Sequence, residues 1–250
     1  MLELRSVFAG YGNKTVLMGV DAFFEKGKLT SIIGANGCGK STLLKTILGI
    51  LPVSEGEIVI DGNNIRAMSR NDIAKKAAYL AQNRNTPDMT VEQMVLHGRF
   101  PYLSYPRRYR ETDRKIAREA METVGILHLA DQPLEELSGG MRQTAYIAMA
   151  LAQGTDYILL DEPAAYLDIP HQLDLMRGLR RLADSGKGII AVMHDLPLAF
   201  DFSDEIAVIH EGAIVAKAAP ADLCGESIVE EIFHIRLERM ENGQFYYQFP

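Results

Sequence analysis

The stretch GANGCGKS at residues 34–41 decides the fold of this 250-residue chain. A short predicted strand at residues 30–33 precedes it, and residues 41–50 are predicted to form a helix that ends near Pro52. The letters fit the phosphate-binding loop pattern in the strand-to-helix context that the pattern requires. At average glycine usage, a chance match in this length is on the order of one in a hundred. We therefore predict a nucleotide-binding α/β fold rather than an ordinary glycine turn.

The chemistry of phosphate binding explains the residue types in this loop. Glycines let backbone N–H groups crowd around phosphate oxygens, and the following helix directs its positive end at them. Lys40 reaches the terminal phosphates, and the Ser41 hydroxyl suits Mg²⁺. The predicted nucleotide contacts of the loop are Gly34, Asn36, Gly37, Cys38, Gly39, Lys40, Ser41 and Thr42.

A second motif, YILLDE at residues 157–162, joins four apolar residues to two acids. It predicts a buried parallel strand that delivers carboxylates at its carboxyl end, where ligands bind in such sheets. This is the Walker B pattern, in which Asp161 would hold Mg²⁺ and Glu162 would orient and deprotonate the attacking water. Such a general base typically contributes about 10²- to 10⁴-fold in rate. Alone, the run is equally compatible with a solvated strand end, but a preceding phosphate loop favours the site.

Composition and charge restrict the class of protein. The 47% hydrophobic and 24% charged residues are typical of a folded globular chain, and a net charge of -7 argues against a nucleic-acid partner. Cys38 and Cys224 lack partners at metal-ligand spacing, which predicts neither a disulfide framework nor a zinc site and fits a reducing, cytoplasmic setting. We see no signal-peptide pattern and no apolar run near the roughly 20 residues that cross a bilayer. A membrane role is therefore expected to act through a partner.

The order of predicted elements indicates how the chain is organised. Strand-like segments dominate up to about residue 82, helices take over to about residue 155, and strands then return around an amphipathic helix. We predict strands at residues 16–24, 57–60, 77–81, 157–160 and 188–193, a tight turn at 61–62, and helices at 111–124, 139–153 and 171–183.

The predicted fold class is α/β, with a mixed sheet and flanking helices, an antiparallel β subdomain and an inserted α-helical subdomain. The predicted divisions are a nucleotide-binding core at residues 1–83 and 155–226, a helical subdomain at 84–154 and a short C-terminal extension at 227–250.

A third motif, LSGGMRQ at residues 137–143, opens a predicted helix. Two glycines at a helix start disfavour the helix by roughly 1 kcal/mol each, so capping alone explains them incompletely and the close approach of a ligand explains them better. The segment closely resembles the signature sequence of ATP-binding cassette proteins, which combine it with the two motifs above in this order. The resemblance extends over nearly all of the chain and implies a P-loop NTPase core that binds and hydrolyses ATP with Mg²⁺.

The resemblance also implies roles for single residues. Tyr11 matches an aromatic residue that lies against adenine, and Gln82 matches a glutamine that senses Mg²⁺ and the attacking water. His194 matches a histidine that contacts the γ-phosphate. Taken alone, Tyr11 and His194 are more often structural residues. The implied catalytic residues are Glu162, His194 and Gln82, and the implied metal ligands are Ser41, Gln82 and Asp161.

A second copy of the chain is implied as well, because the family places the phosphate loop and the signature on opposite sides of each subunit. Ser138, Gly139 and Gly140 would contact the ATP held by the loop of the other copy, in a head-to-tail dimer. Asp168 matches a loop acid that contacts the partner subunit.

Three positions depart from the usual family pattern. Met141 replaces a frequent glutamine, Thr144 a frequent basic residue, and Ala164 a hydroxyl residue. None of them removes a phosphate ligand or the expected base, so they bear on the rate of turnover more than on the reaction.

Finer similarity points to importers of metal chelates, the siderophore, haem and cobalamin group. It is carried by residues 77–82, 98–102 and 167–172, and weakly by 227–250. The resemblance implies an ATPase coupled to transport at the cytoplasmic face of the membrane, working with separate permease subunits and indirectly with a substrate-binding protein. Residues 99–114 mix arginines with aromatic residues, which suits a permease-docking surface and a solvated linker equally, and nucleic acid least.

Other functions stay open at this point. One is a non-transport cassette ATPase of repair, translation or cofactor assembly, which tandem cassettes, long coiled-coil insertions or basic arms would indicate. The others are an importer ATPase for another small solute or oxyanion, and a nucleotide-binding regulator in which hydrolysis is irrelevant.

Overall fold

The computed structural model describes residues 1–82, 86–165, 167–224, 226–240 and 243–248. The strands are β1 (Leu2–Tyr11), β2 (Lys14–Phe24), β3 (Leu29–Ile33), β4 (Val53–Ile60), β5 (Asn63–Asn64), β6 (Ala77–Leu80), β7 (Tyr157–Asp161), β8 (Gly188–Val192), β9 (Glu205–His210), β10 (Ala213–Ala218), β11 (Arg236–Arg239) and β12 (Phe245–Gln248). The helices are α1 (Lys40–Ile47), α2 (Arg70–Lys76), α3 (Val91–His97), α4 (Glu111–Thr123), α5 (Gly139–Ala152), α6 (Ile169–Asp184), α7 (Leu196–Phe202), α8 (Pro220–Leu223) and α9 (Ser227–Phe233).

A six-stranded mixed sheet in the order β10-β9-β3-β8-β7-β6 positions the site. The strands β9, β3, β8, β7 and β6 run parallel to their neighbours, and β10 is antiparallel to β9. Parallel strands end at one edge, so the residues that follow β3, β6, β7 and β8 meet there. The predicted mixed sheet is confirmed.

A separate antiparallel sheet, in the order β2-β1-β4-β5, covers one face of the core. Its predicted hairpin is confirmed, because Ile60 pairs with Asn63 across a turn in which Asp61 and Gly62 have φ angles of 50° and 82°. Glycine and aspartate tolerate these positive angles better than most residues, which explains why the chain reverses at this point.

The core lies on both faces of the mixed sheet. Along β7, Tyr157 and Leu159 belong to the apolar cluster beneath the antiparallel sheet and α1, whereas Ile158 and Leu160 belong to the cluster beneath the helices. All four side chains are buried. Burial on both faces explains why this strand reads as a continuous apolar run rather than as an alternating one.

The first helix ends earlier than the sequence predicts. It stops at Ile47, and the predicted end at residue 50 is wrong. Gly49 adopts a φ angle of 63°, and the N–H groups of Leu48 and Gly49 bond back to the last turn of the helix. A glycine in the left-handed conformation ends a helix in this way, so Gly49 rather than Pro52 provides the stop.

Helices dominate the described residues between β6 and β7. These are α3, α4 and α5, with short 3-10 turns at Phe100–Tyr102, Leu127–Leu129 and Leu134–Glu136. The predicted division between residues 83 and 84 lies outside the described residues, and the other predicted divisions stay predictions.

The C-terminal residues pack against α7. The rings of Phe245 and Phe200 lie 5.3 Å apart, and the Phe245 N–H donates a 2.8 Å hydrogen bond to Asp201 Oδ1. The predicted 227–250 extension includes residues 241–242 and 249–250, which lie outside the described residues. In the part of the chain that the structure describes, no helix combines the length and apolar character that a membrane span needs.

Candidate nucleotide-binding site

The phosphate-binding loop leaves the carboxyl end of β3 and enters α1, in the context that the sequence predicts. Gly37 and Gly39 have φ angles of 78° and 114°, which glycine adopts without strain. A Cβ atom at Gly34 would lie 2.2 Å from the carbonyl oxygen of Ile209, and one at Gly39 would lie 3.1 Å from Leu17 Cδ2. The loop is therefore shaped by backbone that tolerates no side chain at Gly34 and little at Gly39.

Lys40 holds the loop closed around its own carbonyl groups. Its ammonium donates hydrogen bonds to the carbonyl oxygens of Gly34 at 2.8 Å and Ala35 at 2.9 Å, and the residue is only 6% exposed. A buried ammonium is a compact cation with three N–H donors, so these bonds also orient it for a phosphate oxygen.

Asp161 brings the second motif to the loop. Its Oδ1 accepts a 2.9 Å hydrogen bond from Ser41 Oγ, and its Oδ2 accepts a 3.1 Å bond from the Tyr79 hydroxyl. The carboxylate is buried at the end of β7. Two donors to one buried carboxylate fix its direction, which places an oxygen pair from Ser41 and Asp161 at the start of α1.

Glu162 adopts a backbone conformation that is uncommon for a residue with a side chain, with a φ angle of 52°. Its Oε1 lies 2.6 Å from His194 Nε2, and its Oε2 accepts a hydrogen bond from the Gln82 side-chain amide. Gln82 and His194, which follow β6 and β8, thus meet at the carboxylate of Glu162, which follows β7. Left-handed backbone in a non-glycine residue is a form of strain that concentrates at functional sites.

A second group of predicted residues lies at the starts of α5 and α6. Ser138 caps α5, with its hydroxyl accepting a 3.3 Å bond from the Met141 N–H, and Asp168 caps α6, accepting a 3.2 Å bond from the His171 N–H. The carboxylate of Asp168 also contacts His171 Nδ1, and this hydrogen bond holds the pKa of Asp168 below its ordinary value.

The predicted residues therefore form two groups. Gly34 to Thr42, Gln82, Asp161, Glu162 and His194 gather at the edge of the mixed sheet, and Ser138, Gly139, Gly140 and Asp168 lie together elsewhere. Among the described residues, no hydrogen bond links the second group to the loop. Tyr11 lies at the end of β1, 49% exposed, beside the turn into β2.

Two residues near the site carry contacts that sequence reasoning did not assign. Tyr79 orients Asp161, and His171 bonds to Asp168. Tyr79 carries a hydroxyl group in β6, which pairs in parallel with β7. A hydroxyl in the strand beside the Walker B strand is the sequence feature that could have indicated its contact with Asp161. The signal for His171 was its place three residues after a capping acid, a spacing at which side chains on a first turn meet.

The three unusual positions lie close to the second group. Met141 is 43% exposed, and the Thr144 hydroxyl donates a 3.0 Å bond to the Gly140 carbonyl oxygen. Ala164 is buried, and its carbonyl oxygen accepts a 3.3 Å bond from the Gln172 side chain. None of these contacts touches the loop or Glu162.

Cys38 adds no negative charge beside the loop at neutral pH. Burial raises the pKa of the Cys38 thiol above its ordinary value of 9.0, although Lys40 opposes this shift. The thiol therefore stays protonated where a phosphate would bind, and does not repel it.

The residues present fit ATP and Mg²⁺. The backbone N–H groups of the glycine-rich loop and the Lys40 ammonium supply donors for phosphate oxygens. The Ser41 hydroxyl and the Asp161 carboxylate supply the hard oxygen ligands that Mg²⁺ prefers, and Mg²⁺ takes most of its other ligands from water and substrate phosphates.

Comparison with known proteins agrees with this chemistry. A family model described as ABC transporter matches residues 17–165. The ferric enterobactin transport ATP-binding protein FepC of Escherichia coli strain K12 is 42% identical over 229 residues, covering 91% of this chain and 84% of the relative. The iron(3+)-hydroxamate import ATP-binding protein FhuC of Bacillus subtilis strain 168 is 41% identical over 239 residues, covering 95% and 89%.

Solved structures give the same result for the fold. The crystal structure of MJ1267 in its ADP conformation, an ATP-binding cassette of an ABC transporter, superposes with a TM-score of 0.84 at 25% identity, covering 93% of this chain and 98% of that one. The P-loop NTPase fold is therefore confirmed. The chain belongs to the ABC transporter family, as an ATP-binding subunit that hydrolyses ATP with Mg²⁺.

Proposed function

We propose that this chain powers the import of an iron chelate through a separate transmembrane permease. The support for the cargo is that relatives named for ferric enterobactin and iron-hydroxamate transport align over more than nine-tenths of this chain. The support for the ATPase roles is the meeting of Gln82, Glu162 and His194 beside the phosphate-binding loop.

In this proposal, Glu162 is the general base. Its carboxylate is held by Gln82 on one oxygen and by His194 on the other. Each carboxylate oxygen has two lone pairs, so Glu162 can accept a proton from water while it keeps both contacts. A base that is already oriented needs no reorganisation when it accepts the proton in the transition state, which lowers the barrier to hydrolysis.

The loop and its neighbours bind the substrate. Gly34, Asn36, Gly37, Cys38, Gly39, Lys40, Ser41 and Thr42 contact the phosphates, and Tyr11 lies against the adenine. Ser41, Asp161 and Gln82 would hold Mg²⁺, which neutralises charge on the phosphates. His194, whose Nε2 lies 2.6 Å from Glu162 Oε1, would contact the terminal phosphate.

We also propose that two copies bind ATP between them. Ser138, Gly139, Gly140 and Asp168 lie apart from the loop of their own chain, and the helix start at residue 139 offers backbone N–H groups to a phosphate. In a head-to-tail dimer, these residues complete the site of the other copy. Closure of the dimer then drives the attached permease, since ATP stabilises the closed state by its differential affinity.

The partners in this account are the second copy, permease subunits in the membrane and, through them, a substrate-binding protein. The chain would act at the cytoplasmic face of the cell membrane. Nucleic acid is not expected as a partner, given the net charge of -7.

Transport of radioactive iron in the native cells tests the proposal. Replacing Lys40→Ala should abolish uptake of ferric siderophores, and the tagged wild-type chain should co-purify with a multi-spanning membrane protein. Lys45→Ala, in the last turn of the same helix, is the matched control and should keep uptake. Unchanged iron uptake in cells whose chain has lost ATP hydrolysis would show that the cargo is wrong.

A further inference from the structure

The His171 side chain lies between the two capped helix starts of the second group. It is in the first turn of α6, where its backbone N–H bonds to Asp168 at 3.2 Å and its Nδ1 contacts the same carboxylate. Asp168 keeps a 65% exposed side chain while it makes these contacts. The carboxylate is therefore held in one direction and still open to another molecule.

The Cδ2 side of the His171 ring lies against Gly140. A Cβ atom built on Gly140 would lie 2.5 Å from Cδ2, 3.0 Å from Cγ and 3.2 Å from Nε2 of the ring. Heavy atoms in contact are normally about 3.5 to 4.0 Å apart, so the ring occupies the space that a side chain at residue 140 would need. The imidazole thus packs against Gly140, the last residue of the segment 138–140, which we name the signature segment.

Close packing between α5 and α6 is limited around this contact. A cavity of about 440 Å³ separates the two helices, and Gly140 and His171 both line it. Ile147, Leu175 and Leu179 are among the apolar residues that line it, beside polar residues such as Gln143 and Arg181. The contact of the His171 ring with Gly140 therefore joins the start of α6 to the start of α5 beside a cavity.

We propose that His171 is a positioning residue that fixes Asp168 relative to the signature segment. The inference rests on the proposed dimer, in which a subunit presents both elements to the nucleotide of its partner. Because one ring bonds to Asp168 and packs on Gly140, the two elements approach the other subunit as one unit. Without the ring, each would have to be ordered separately when the dimer closes.

The two functions of the ring can be separated by substitution. Asparagine has a side-chain N–H group near the position of Nδ1, so His171→Asn keeps a donor for Asp168 but loses the ring on Gly140. Phenylalanine keeps the ring but has no donor. If the link needs both contacts, neither variant replaces histidine.

ATP-driven dimerisation measures the link. In the Glu162→Gln background, which should bind ATP without turnover, light scattering gives the ATP concentration for half-maximal dimer in the presence of Mg²⁺. Adding His171→Ala, His171→Asn or His171→Phe should raise this concentration about tenfold, since a hydrogen bond to a charged group contributes on that scale. ATP affinity at protein concentrations too low for association should stay within about twofold.

The matched control is Asp174→Ala in the same background. Asp174 lies one turn further along α6, is 74% exposed, and bonds to Arg177 on the same helix. It should leave dimerisation unchanged. If the Glu162→Gln protein dimerises and the His171 variants dimerise at the same ATP concentration, the positioning role is overturned. If the Glu162→Gln protein stays monomeric at saturating ATP, the proposed dimer itself fails.

Discussion

The Ser41 hydroxyl donates a 2.9 Å hydrogen bond to Asp161 Oδ1, across 120 residues of sequence. Ser41 lies in the first turn of α1 and Asp161 at the end of β7, so the contact joins the phosphate-binding loop to the Walker B strand. A hydroxyl and a buried carboxylate at this distance supply two of the six oxygen ligands that an octahedral Mg²⁺ takes.

Replacing Asp161→Asn should therefore weaken the binding of Mg²⁺ at the ATPase site. The amide keeps the shape of the side chain but removes its charge, and we expect at least about a tenfold higher Mg²⁺ concentration for half-maximal ATPase activity. Titration of phosphate release with Mg²⁺ measures this. Tyr79→Phe, which removes only the donor to Oδ2, is the control and should shift the midpoint less. An unchanged midpoint in Asp161→Asn would exclude this residue as a metal ligand.

Lys40→Ala should weaken nucleotide binding. The substitution removes a cation from the phosphate site together with its bonds to the carbonyl oxygens of Gly34 and Ala35. We expect at least about a tenfold loss in ATP affinity, the scale of a charge-assisted hydrogen bond. Fluorescence titration with ATP gives the affinity, and Lys45→Ala should retain it. Undiminished affinity in Lys40→Ala would mean that the loop does not grip the phosphates.

His194→Ala should lower turnover more than it changes apparent ATP affinity. His194 Nε2 contacts Glu162 at 2.6 Å, so its loss frees one side of the proposed base. A lost orienting contact of this kind should reduce kcat by about 10- to 100-fold. His194→Gln, which retains an N–H donor, should recover part of the rate. Steady-state kinetics that show equal kcat for His194→Ala and wild type would remove His194 from the mechanism.

Stability in acid should depend on Asp61. This carboxylate accepts bonds from the Met1 amino group at 2.9 Å, Lys26 at 3.0 Å and Lys76 at 3.1 Å. Burial raises the pKa of Asp61, but the three cationic donors outweigh it and hold the pKa well below the ordinary 3.8. The folded state therefore binds this proton more weakly than the unfolded state does. The stabilisation is complete above about pH 4 to 5 and is lost as the pH falls towards the lower folded value.

Asp61→Asn should accordingly lower the free energy of unfolding at pH 7 by about 1 kcal/mol, because the three cationic partners are 36–51% exposed and solvent screens part of their attraction. The difference from wild type should shrink as the pH falls below about 4. Urea unfolding across this pH range measures it. Asp131→Asn, at an exposed position, is the control. A difference that stays constant with pH would contradict the charge network.

Part of the site follows from the sequence because parallel strands share one edge. The loop after β3, Gln82 after β6, Asp161 and Glu162 at the end of β7, and His194 after β8 were each predicted from an apolar run followed by a polar residue or from the family resemblance. The structure brings these residues together through the strand order β3-β8-β7-β6. Sequence patterns predict where strands end but not their order in the sheet, which the structure shows.

Other features depend on contacts that a sequence pattern does not contain. The packing of His171 on Gly140 joins two helix starts that lie far apart along the chain. The positive φ angle of Glu162 could not be predicted from the sequence, because such angles are expected at glycine and residue 162 is a glutamate. The short strand β12 depends on the packing of Phe245 on Phe200 and on its hydrogen bond to Asp201, and β11 pairs with β12.

We propose that Glu162 is the base for ATP hydrolysis in this chain. Glu162→Gln preserves the shape and the neighbours of the side chain but removes its ability to accept the proton. The most direct test measures ATP affinity and phosphate release on the same purified protein with Mg²⁺. We expect wild-type ATP affinity and a fall of at least about 100-fold in the rate of phosphate release. Phosphate release at the wild-type rate would contradict it.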